Sequence, residues 1–67
     1  MAQGGKMINK GEIWDNNKKR VIVLETGVIN ETNVIKGQHL VLYKEVGKNL
    51  YCVKATAEFL QEYTKVR

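Results

Sequence analysis

The stretch Lys19-Arg20-Val21-Ile22-Val23-Leu24-Glu25-Thr26 holds four consecutive apolar residues, three of them β-branched. β-branched side chains are stiff at χ1 and favour an extended, pleated backbone. A run this short, apolar at both parities, fits a strand covered on both faces, as in the centre of a small barrel. The remaining elements arrange themselves around that strand.

Upstream, Glu12-Ile13-Trp14 reads as a short strand, and Asp15-Asn16-Asn17-Lys18 as the turn between the two. Asp and Asn suit a turn because they tolerate left-handed backbone and bond to their own main chain. Downstream, Gly27 marks a bulge or bend. It introduces the near-palindrome Val28-Ile29-Asn30-Glu31-Thr32-Asn33-Val34-Ile35. Here four polar turn residues separate two Val-Ile pairs, which predicts a hairpin tip pairing with itself across residues 28–35. Successive strand residues point to opposite faces, so each Val-Ile pair splits between the two sides. A barrel can cover one side of a projecting ribbon. At least two of Val28, Ile29, Val34 and Ile35 are therefore expected at the surface, as a protein-binding patch.

After Gly37, residues 38–46 form a further strand, with Leu40 and Leu42 on one face and His39, Val41, Tyr43 and Glu45 on the other. Gly47-Lys48 is a turn, and residues 50–55 form a fourth strand. Thr56 is placed to cap a short helix over residues 57–62, docked through Phe59 and Leu60, because a segment of this length is unstable without tertiary contacts. A fifth short strand over residues 63–66 closes the structure. Residues 1–10, with Gly4-Gly5, read as a flexible leader, and residues 11–67 as one domain. The expected class is mainly β: a small five-stranded barrel of SH3-like type, with one short helical turn before the last strand. Trp14 and Phe59 are its leading core residues.

This order resembles a group of small bacterial domains with SH3-like barrels. The matching pieces are Gly11 with Trp14, Val21 to Leu24, Glu25-Thr26, Leu40 to Lys44, Tyr51 to Lys54, and Phe59-Leu60. Ala55 and Thr56 stand where those domains usually carry a proline. Very short basic proteins of this type are common in bacteriophages. The resemblance implies the fold and no particular activity.

With 67 residues the chain has room for one small core. No apolar run reaches the ~18 residues a membrane span needs, and the N-terminus has no secretory apolar stretch, so the expected location is the cytoplasm. The Asn30-Glu31-Thr32 sequon is then a chance match. One cysteine and one histidine exclude an intrachain disulfide and a structural zinc site of Cys and His ligands. Cys52, flanked by Tyr51 and Val53 in a strand, reads as an inert core thiol, and His39 as a strand-edge residue. No glycine-rich phosphate loop is present. The chain is therefore expected to be no enzyme and to need no metal or cofactor.

Binding is the remaining class. Net charge is +4, with the basic excess in residues 1–20 and 36–54. The preferred reading is a module for a protein partner, of the kind phages use to regulate or inhibit a host protein. The alternative is nucleic acid, held by Lys18, Lys19 and Arg20 together with Lys44 and Lys54, and by Tyr43 and Tyr51 as stacking platforms. A homodimer through the 28–35 hairpin is compatible with both.

Overall fold

The computed structural model describes residues 7–31 and 38–66. In chain order the elements are β1 (Ile13–Asp15), β2 (Arg20–Asn30), β3 (Gln38–Glu45), β4 (Tyr51–Ala55), α1 (Thr56–Glu62) and β5 (Thr64–Lys65). The five strands form one antiparallel sheet in the order β4-β3-β2-β1-β5. Strand number and the helix before the last strand agree with expectation. The sheet is open: β4 and β5 lie at its two edges.

Local chemistry explains each boundary. Between β1 and β2, Asn16 Oδ1 accepts the Lys18 and Lys19 amides at 2.8 and 2.9 Å. The side chain thereby stands in for main chain and reverses the strand. Between β3 and β4, Lys48 N–H donates to the Glu45 carbonyl, with Gly47 at φ 88° in the third position of the turn. That left-handed conformation favours glycine. Thr56 is the first residue of α1 rather than its cap, and its hydroxyl donates to the His39 carbonyl at 3.2 Å. The helix stops at Tyr63, whose N–H closes on the Phe59 carbonyl and whose backbone is already extended.

Two irregularities shape β2. Its register against β3 places Val23 opposite Tyr43, Glu25 opposite Leu42 and Val28 opposite Leu40. Each step adds one unpaired residue to β2, and the second bulge contains Gly27 at φ 69°. The strand thus runs past Gly27 without a break.

The core lies between the sheet and α1. Trp14, Val21, Val23, Val41, Tyr43, Phe59 and Tyr63 are buried, and Ile8, Cys52 and Leu60 pack around them. Phe59 is the centre: its ring lies 5.4 Å from Trp14, 5.3 Å from Tyr43 and 4.7 Å from Tyr63. The first two contacts are edge-to-face, the arrangement that ring quadrupoles favour. The expectation that Trp14 and Phe59 anchor the core is met. The Val21–Leu24 run is covered on one side: Val21 and Val23 are buried, Ile22 and Leu24 half-buried.

The N-terminal segment is attached from residue 8 onward. Ile8 packs on the core, and the Glu12 carboxylate accepts from the Asn9 amide at 2.9 Å, the Asn9 side chain at 3.1 Å and the Trp14 indole at 3.0 Å. Lys65 of β5 reaches the same carboxylate at 3.2 Å. Glu12 thereby ties the leader, β1 and β5 to one point.

Candidate functional site

The helix covers one face of the sheet. On the other face, paired positions place Tyr51, Lys44, Ile22 and Ile13 in one row across four strands. Val53, Leu42 and Glu25 form a second row, and Ala55, Leu40 and Val28 a third. Tyr51 is 68% exposed and Val53 57%, while Ile13, Ile22, Val28, Leu40 and Leu42 are half-buried among their neighbours. The smallest dimension of the molecule is 19 Å. Among the described residues there is one sheet and one helix, at ~10 Å each, and the helix packs on the opposite face, so no second element covers these rows. This largely apolar face, with Leu42 at its centre and Lys44 in an outer row, is the candidate site.

The structure divides the basic and aromatic residues proposed for nucleic acid. Tyr43 is 4% exposed and packs against Phe59 and Tyr63, so its ring is a core group and not a stacking platform. Strand alternation is the cause, since Tyr43 lies opposite Cys52 on the helix side. Lys54 also points to that side, where its Nζ meets Glu62 Oε1 at 2.7 Å. Lys44 and Tyr51, by contrast, are direct cross-strand neighbours on the uncovered face. Lys18 and Lys19 lie in the turn before β2, and Arg20 is its first residue. Lys18 and Arg20 are exposed, Lys19 is half-buried, and Arg20 is paired with Asp15 at 3.4 Å. These seven residues therefore do not share one face.

The palindrome resolves differently from a self-paired tip. Val28, Ile29 and Asn30 pair with Leu40, His39 and Gln38. The core pairs Val21–Glu45, Ile22–Lys44 and Val23–Tyr43, followed by the two bulges, fix that register. Val28 joins the uncovered face beside Leu40, and Ile29, on the opposite side, is 46% exposed. Val34 and Ile35 lie outside the described residues.

The helix-side polar groups form their own network. Glu62 accepts from Lys54 and, at 3.2 Å, from Asn16. The hydrogen bond from Lys54 draws the Glu62 carboxyl below its ordinary range, and the same bond raises the Lys54 ammonium. Burial pushes up the phenols of Tyr43 and Tyr63. Cys52 and His39 do not form a catalytic pair: Cys52 lies opposite Tyr43, four residues along β3 from His39, which is about 13 Å of strand. Among the described residues no cluster of His, Cys, Asp and Glu could hold a metal ion, and no helix is long and apolar enough to cross a membrane.

No protein-family model, curated protein or solved structure matches this chain. The uncovered face was readable in part. The segment from Leu40 to Tyr43 is apolar at both parities, which a strand covered on one side does not need.

Proposed function

We propose that this chain is a small non-enzymatic binding module, with a protein partner seated on the uncovered face of the sheet. The carrying observation is the three-row apolar surface around Leu42, with Tyr51 and Val53 exposed at its border. Contiguous apolar surface of this kind usually marks an interface, and an exposed tyrosine at its border is a typical anchor. We read the strand order, with its helix before the last strand, as that of an SH3-like barrel left open. We read the cellular role as a cytoplasmic regulator or inhibitor of a host protein, of the phage type that the sequence resembles.

The experiment is affinity capture from the native host's lysate, with and without nuclease, using the parent and an Ile22→Thr, Leu42→Thr double variant. Thr keeps strand preference while adding a hydroxyl. A stoichiometric protein that survives nuclease and is lost with the folded double variant is the expected result. Capture unchanged by the double variant removes this face from the interface.

One observation favours nucleic acid as the second reading: Lys44 and the exposed Tyr51 are direct cross-strand partners on the same face. That pair combines a phosphate contact with a stacking surface. If it operates, Lys44→Glu reduces the log–log salt slope of single-strand binding by roughly one unit.

A further inference from the structure

The two edges of the sheet are unequal. β5 is two residues long and carries Lys65, so that edge is short and charged. β4 is five residues long, without proline or bulge, and among the described residues no strand pairs with its second side. Its one charge, Lys54, is turned to the helix side and held by Glu62. Natural sheets usually blunt such an edge with charge, proline, a bulge or extreme shortness. β5 has two of these protections, whereas β4 has only the inward-turned Lys54, whose charge Glu62 neutralises.

We infer that the β4 edge pairs with β4 of a second copy of this chain, antiparallel about a two-fold axis at Val53. The sequence Tyr51-Cys52-Val53-Lys54-Ala55 is self-complementary in that register. Tyr51 faces Ala55 of the second copy, large against small, Cys52 faces Lys54, and Val53 faces Val53. No charged residue meets its like. Centring on Lys54 instead opposes two ammonium groups, which is unfavourable. Centring on Cys52 leaves Ala55 opposite Asn49, outside the strand. Only the Val53 register uses all five residues, and α1 begins at Thr56 and ends the pairing there.

A second copy also fits better than an open-ended series. Once the two β4 strands are joined, the remaining edges are the two-residue β5 strands, so growth stops at a closed pair. The uncovered rows of the two copies then run into each other through Val53. Each copy carries net charge +4, so association works against repulsion and tightens as salt rises. Nucleic-acid binding does the reverse.

Sedimentation of the whole chain over a concentration series tests this, together with Val53→Lys and a cysteine pair. Expected results are a dimer that tightens with salt and a Val53→Lys variant that keeps its Trp14 emission but dimerises about tenfold or more weakly. In a Cys52→Ser background, Val53→Cys forms a disulfide-linked dimer under mild oxidation, because opposed strand residues lie within disulfide reach. Tyr51→Cys in the same background does not, since the two copies of that position are about 14 Å apart along the strands. A chain that stays monomeric at every concentration overturns the inference. So does a dimer indifferent to Val53→Lys, or equal cross-linking by both cysteine variants. No captured partner enters these measurements, so they stand or fall apart from the proposed function.

Discussion

Replacing Phe59 with alanine removes the ring on which three other rings rest. Phe59 is fully buried and contacts Trp14 from β1, Tyr43 from β3 and Tyr63 beyond α1. Truncating a buried Phe costs about 3–5 kcal/mol in transfer and cavity terms. At roughly 0.05–0.15 kcal/mol per residue, a chain of this size has about 3–10 kcal/mol in all. The change therefore consumes most of the stability, and Phe59→Ala is expected to be largely unfolded at room temperature. Phe59→Leu keeps most of the volume and loses the ring contacts, at about 0.5–1.5 kcal/mol each. It should fold with a clearly lower urea midpoint. Trp14 is the only tryptophan and is 2% exposed, so its emission follows the core directly. Far-UV circular dichroism should give the same midpoint, because the lost ring joins helix to sheet. A Phe59→Ala transition within about 1 kcal/mol of the parent would refute this account of the core.

Three further outcomes follow from particular residues. The Asn9 amide, with help from the Asn9 and Trp14 side chains and Lys65, holds the Glu12 carboxyl near pKa 2 against an ordinary 4.5. A depressed carboxylate stabilises the fold fully above its unfolded value and loses that contribution as pH falls through the folded one. The stability gap between the parent and Glu12→Gln should be constant down to about pH 4.5 and close towards about pH 2, as read by urea midpoints in acid; a gap independent of pH contradicts it. Cys52 is half-buried against the core, so a thiol reagent should label the native protein much more slowly than the urea-unfolded one, and equal rates would take Cys52 off the helix side. Gly27 sits at φ 69° with open space where a Cβ would lie, so Gly27→Ala should cost about 1–2 kcal/mol through backbone conformation alone; an unchanged melting temperature would mean the bulge relaxes.

The strands and their turns were legible because each boundary carries its own chemistry. Asn16 bonds the next two lysine amides, Gly47 takes a left-handed turn position, and Phe59 docks a helix too short to stand alone. Relative facing within β3 and β4 followed from alternation. Which face meets the helix did not, since Leu40 and Leu42 are as apolar as Val41 and Tyr43. Tyr43 and Tyr51 look alike locally, each followed within three residues by a lysine, yet register buries one and exposes the other. The palindrome misled for a related reason. Its symmetry is local, whereas the pairing of residues 28–30 is inherited from Val21–Val23 through two bulges, of which only the one at Gly27 is marked in the sequence.

Those bulges make β2 a ribbon edge longer than its neighbour. Between the outermost pairs, residues 21–30 lie opposite residues 38–45, a surplus of two residues or roughly 7 Å of contour. A ribbon whose edges differ in length must coil. The direction in which Asn30 and Gln38 leave the sheet is thus encoded in a residue count rather than in any side chain. Single deletions at Leu24 or Gly27 would re-aim that end while leaving every buried residue and its partner in place.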